Sequence, residues 1–101
     1  MEITRDEAKK LLSNVPDRCV FRCCDGRVIR NIRELGKTVA HMPDDSFRYH
    51  ANQDKNDFSR WVKETVGDEI LARHLNRAVD KQQALKELSN RISFLSGQLA
   101  R

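Results

Sequence analysis

With 101 residues, 39% of them hydrophobic and 34% charged, the chain has material for one domain and one core, and none for a catalytic cleft between domains. No run approaches a membrane-spanning length, and Met1–Lys10 lacks the apolar stretch of a secretory signal, so neither a membrane nor export is expected. The net charge of +4 is unevenly placed: from Arg18 to Lys37, six cations stand against two carboxylates.

Three cysteines, two of them adjacent, make a poor disulfide framework. Together with the missing export signal this implies reduced thiols and a cytoplasmic location.

Thr4-Arg5-Asp6-Glu7 has the form of a capping box. It opens a short helix from about Arg5 to Ser13, with Ala8, Leu11 and Leu12 on one face and Pro16 forbidding continuation. Cys19–Cys23 is rich in β-branched and aromatic residues, and Asp25-Gly26 is a strong turn signal. A short hairpin at 19–29 is expected, its second strand Arg27–Ile29. Helical spacing then takes over at once through Ile29, Ile32, Leu35, Val39 and Met42.

Pro43 ends that helix, and Asp44 or Asp45 caps a short one reaching His50. Asn56 caps the next, with Phe58, Trp61, Val62 and Val66 on a face and Gly67 as its left-handed terminus. Asp68 caps another, carrying Ile70, Leu71, Leu75 and Val79. Asp80-Lys81-Gln82-Gln83 opens a last helix over about 81–99. The fold class is therefore mainly α: a compact domain of five or six helices with at most the short hairpin, spanning 1–101.

The last helix repeats Leu85, Leu88, Ile92, Leu95, Leu99 in steps of three and four. These positions fall within an arc of about 80°, narrower than a broad core-facing stripe. Two heptads make a marginal coiled coil on their own. The helix is therefore read first as a core element, and Leu88, Ile92, Leu95 and Leu99 second as a self-association face. Phe94 stands off the seam beside Arg91.

For chemistry, Cys19, Cys23 and Cys24 with His41, His50 and His74 fail the paired spacing of a structural zinc site. On a strand Cys19 and Cys23 lie about 13 Å apart. They are read as small buried hydrophobes, and no metal or cofactor is expected. His50 near Asp54 and Asp57 suggests acid–base work, but no activated nucleophile accompanies it, so no enzyme is expected. The four glycines are isolated and cradle no phosphate.

The basic segment is the better candidate. On a helix, Arg30, Arg33 and Lys37 share a face opposite Ile32, Leu35 and Val39, with Arg22 and Arg27 flanking the turn. These five are the candidate contacts for nucleic acid or another polyanion, in a salt-sensitive, sequence-independent mode. A solvated cationic face is the plainer reading, and Glu34 dilutes it.

Asp25-Gly26-Arg27, Phe47-Arg48-Tyr49-His50, Asn56-Asp57-Phe58-Ser59-Arg60-Trp61 and Gly67-Asp68-Glu69-Ile70-Leu71-Ala72 form a recurring pattern: D-G-R, F-x-x-H, N-D-F-x-x-W, G-D-x-x-L-A. In these motifs the chain resembles a prokaryotic family of small proteins and appended domains of unknown function, from about Val20 to Leu95. The resemblance implies that His50, Asn56, Asp57, Phe58 and Trp61 form the domain's signature. Their chemistry suits a structural role: Asn56 caps, Asp57 favours a helix N-terminus, Phe58 and Trp61 enter the core, and His50 bonds Asp57 across the loop. The Cys23-Cys24 pair and the arginine density are not explained by that pattern.

The leading expectation is a non-catalytic interaction or adaptor module that docks a protein partner or forms a homodimer through its last helix. The alternative is a non-specific nucleic-acid binder.

Overall fold

A computed structural model describes residues 3–100. Met1 and Glu2, part of the N-terminal stretch discussed above, lie outside the described residues. The elements in order are α1 (Arg5–Leu12), a 3₁₀ turn (Asp17–Cys19), β1 (Phe21–Arg22), β2 (Val28–Ile29), α2 (Ile32–His41), α3 (Asp44–His50), α4 (Asp57–Trp61) continuing as a π-helical turn (Val62–Val66), α5 (Glu69–Arg77) and α6 (Lys81–Leu99). The domain is mainly α with one short antiparallel hairpin, as the sequence predicts.

Capping decides most boundaries. The Thr4 hydroxyl accepts the Glu7 amide at 3.1 Å, and Asn31, Asn56, Asp68 and Asp80 each accept an amide three residues on. At α6 the box is reciprocal with a shift: Gln83 accepts the amide of Val79, one residue before the cap. The expected cap at Asp44 or Asp45 is corrected. Pro43 holds the cap position without a side-chain bond, and both aspartates lie in the first turn, where they favour the positive helix end. The π-helical turn closes on Gly67 at φ +90°, where a side chain would be strained; the Gly67 and Asp68 amides both donate to the Val62 carbonyl.

Ile29 lies in the second strand of the hairpin, where the sequence reading places it: it pairs with Phe21, as Val28 does with Arg22, and is fully buried. Its apparent helical spacing to Ile32 arises because strand and helix feed the same core. A further expectation is corrected: Val79 is not on the apolar face of α5. That helix ends at Arg77, and Val79 stands in the α5–α6 link, 85% exposed.

The buried apolar residues form one cluster, with α6 lying against α1, α2 and α5. Leu88 and Leu95 are its deepest α6 contributions, while Leu85, Ile92 and Leu99 pack on it half-buried. The heptad seam is thus engaged within the domain, for which burial of a leucine is worth about 2 kcal/mol. No described helix is long and apolar enough to cross a membrane.

Candidate functional site

The signature residues meet where the hairpin lies over the α3–α4 corner. Phe21, from β1, touches three rings brought by other elements: His50 at 5.1 Å, Phe58 at 5.3 Å and Trp61 at 5.9 Å between centroids. Phe47 stacks on Phe58 from α3. Phe58 and Trp61 are buried, as the motif spacing on one helix face requires.

Several hydrogen bonds in this cluster tie one element to another. The Cys24 amide donates to His50 Nε2 at 3.0 Å, so that nitrogen is unprotonated and the ring proton sits on Nδ1. Nδ1 in turn donates to Asp57 at 3.0 Å. One imidazole therefore joins the hairpin, α3 and α4, and it is only 5% exposed. Asn56 accepts from Ser59 and donates to the Leu75 carbonyl, the Ser59 hydroxyl donates to the Ala72 carbonyl at 2.6 Å, and the Trp61 indole donates to the Cys19 carbonyl at 2.8 Å.

Asp57 also receives Lys55 at 3.0 Å, and the same ammonium lies over the Tyr49 ring. Partial burial acts to raise the Asp57 pKa, but the hydrogen bonds from His50 and Lys55 outweigh it and hold the carboxyl below its ordinary range. Beside the cluster is a shallow recess of about 350 Å³, where Arg22 and Arg60 face Asp57 and Glu64. Arg60 is already paired with Glu64 at 3.3 Å.

The basic residues do not assemble into one free face. Arg30 precedes α2 rather than lying on it, because Asn31 is the cap; this corrects the expected helical stripe of Arg30, Arg33 and Lys37. Arg30 pairs with Glu34, Arg27 pairs with Asp25 and reaches the Thr38 carbonyl, and Arg33 donates to Ser96 on α6 at 2.9 Å. Arg22 and Lys37 are exposed on β1 and α2.

Among the cysteines, Cys23 is buried, Cys19 is half-buried and Cys24 is exposed at the hairpin turn, so the reading of all three as buried hydrophobes holds only for Cys23. Burial, with Asp25 and Cys24 adding to it and Arg27 opposing, pushes the Cys23 thiol up to about 11. Among the described residues no group of three or more His, Cys, Asp or Glu side chains is placed to hold a metal ion.

Sequence reasoning missed one strong tie. Asp68, besides capping α5, receives a two-pronged bond from Arg91 on α6, at 2.7 and 3.0 Å. The pair is 23 residues apart, so no local spacing announces it.

A groove of about 780 Å³ lies between α3 with its following loop and the α5–α6 link. Asn52 and Asn56 on its wall are engaged in the fold. Gln53, Asn76 and Gln82 present exposed carboxamides to it.

No curated protein and no solved structure gives a significant match to the chain. Residues 17–95 match the model of the family of unknown function DUF5752, a span that takes in the hairpin, the whole signature and both ends of the Asp68–Arg91 pair. The chain belongs to the family of unknown function DUF5752.

Proposed function

We propose that this is a non-catalytic interaction module that docks a protein partner. The observation that carries the reading is the engagement of His50: both ring nitrogens are bonded inside the domain, to Cys24 and Asp57, and the ring is buried among aromatics. A general base needs a lone pair or a proton facing a substrate. Asn56, Ser59 and Trp61 likewise direct their polar atoms at main-chain carbonyls of the domain. The signature acts as a frame, and what it frames is a surface.

Docking through a self-association seam on α6 is the less favoured form of this reading, since Leu88 and Leu95 are in the core. The polyanion reading retains Arg22 and Lys37 but has three of its five cations engaged with Asp25, Glu34 and Ser96.

The test is a defined complex. Proteins retained from extract of the native host by the immobilised domain are produced pure and titrated against it by calorimetry. A saturable complex at about 10 µM or tighter supports the module. No complex with any purified candidate overturns it. So does turnover of a small molecule that is lost in His50→Gln at unchanged thermal midpoint.

A further inference from the structure

We propose that His50 is a proton-operated latch: a proton taken up on Nε2 releases the tip of the hairpin from α3 and leaves the α3–α4 corner tied. The latch goes beyond the interaction-module reading and does not depend on any partner.

The two ring nitrogens are not equivalent towards a proton. Nδ1 donates to Asp57 at 3.0 Å, a bond that an imidazolium keeps and strengthens. Nε2 accepts the Cys24 amide at 3.0 Å, and an imidazolium has no acceptor. A solvent proton on the Nε2 lone pair therefore sets two N–H donors face to face. The ring is packed against Phe21 and Phe58 and anchored by Asp57, so the amide is the partner that yields. His50 also lines the shallow recess beside the cluster, which gives the proton its way in.

The surrounding charges act in the same direction. Asp57 bonds the ring directly and favours the imidazolium, and Lys55 meets the same carboxylate oxygen. Arg60 of α4 and Glu64 of the π-helical turn line the recess as a pair. Arg22 lines it from β1, so a charged ring meets a like charge on the element to be released. Cys23, its thiol pushed up to about 11, stays uncharged below neutrality, and Tyr49 meets the ring edge-on at 5.0 Å.

Other bonds confine the motion to the tip. The strands pair with each other, the Trp61 indole holds the Cys19 carbonyl, and the Val15 amide holds the Arg30 carbonyl at 2.8 Å. Past the strands, the tip is fastened to the helices by the His50 bond and by Arg27, which reaches the Thr38 carbonyl at a long 3.4 Å. Losing the first frees the turn around Cys24 while the base of the hairpin stays in place.

The whole domain, labelled with ¹⁵N, is titrated from about pH 8 to pH 5, the span in which histidine charge changes are found. Ring nitrogen shifts report the proton on His50 Nε2, and hydrogen exchange, taken against the intrinsic rate at each pH, reports amide protection. As Nε2 takes its proton, protection of the Cys24 amide should fall about tenfold while α4 and α6 keep theirs. His50→Gln offers the same amide a carboxamide oxygen that takes no proton, so the step should vanish. Asp57→Asn removes the carboxylate that favours the imidazolium, so the step should move to lower pH, and this arm decides if the glutamine variant does not fold. The latch is overturned if the ring takes no proton by pH 5, or if Cys24 stays protected beside a doubly protonated ring. It is equally overturned if the helices lose protection together with the hairpin, if the step persists in His50→Gln, or if Asp57→Asn leaves it where it was.

Discussion

Arg91 reaches from the middle of α6 to grip both carboxylate oxygens of Asp68 at the start of α5, with the two side chains 11% and 1% exposed. Asp68 also accepts the Leu71 amide, so one carboxylate both starts a helix and fastens it to the longest helix of the domain. Removing one partner leaves the other charge in the interior without compensation.

Arg91→Met should therefore destabilise by about 3–5 kcal/mol. In Asp68→Ala/Arg91→Met the loss should be smaller than the sum of the single losses, because no buried charge is stranded. Urea unfolding of the four proteins in the cycle checks both statements. Additive losses would show that the pair is not coupled.

His50→Ala should cost about 3 kcal/mol, from a cavity beside Phe21 and Phe58 and from the stranded Cys24 amide. Hydrogen exchange should localise the damage: the Cys24 amide should lose protection in this variant, while α1 and α6 keep theirs. Uniform loss across the domain would contradict the local tie.

The lowered pKa of Asp57 sets a pH signature. A carboxylate whose folded pKa is depressed contributes stability above its unfolded value, ordinarily about 4, and loses it as pH falls through the folded value. Wild type should exceed Asp57→Asn in stability near neutrality, with the gap closing progressively below about pH 4. Thermal unfolding of both proteins across the acid range checks it; a gap constant with pH would refute it.

Thiol labelling should follow exposure. Iodoacetamide near neutral pH should modify Cys24 first, while Cys23, buried and with its thiol pushed up to about 11, should react only on unfolding. Mass spectrometry of timed digests distinguishes the two sites, and early modification of Cys23 would show that the hairpin opens readily.

Leu95→Ala should cost about 2–5 kcal/mol, as for a leucine deleted from a core. In sedimentation the variant should show a lower unfolding midpoint without a change in the size of the folded species. A shift from dimer to folded monomer would instead assign Leu95 to an interface.

Much of this architecture is legible in local chemistry. The caps at Thr4, Asn56, Asp68 and Asp80, the turn at Asp25-Gly26 and the left-handed Gly67 are each short-range rules of backbone bonding and conformation. The role of His50 toward Asp57 is readable too, because the two are seven residues apart across one loop. What escaped is what depends on a distant element. Val79 escaped as well: it continues the apolar spacing of α5, and periodicity cannot tell a helix residue from one just beyond its end.

The heptad of α6 shows the same division. Its steps of three and four establish a helix with a narrow apolar seam, since side-chain direction repeats with the backbone turn. Whether a seam faces the chain's own core or a second molecule depends on which surfaces the other helices bring to it, and here α1, α2 and α5 occupy it. The basic face went the other way: six cations in twenty residues are a fact of composition, but the positions of Asp25, Glu34 and Ser96 neutralise or engage three of them. Charge and apolar pattern are local properties. Arg27 and Arg30 find their carboxylates within four residues, but the partners of Arg33 and of the α6 seam are long-range, and only folding brings those together.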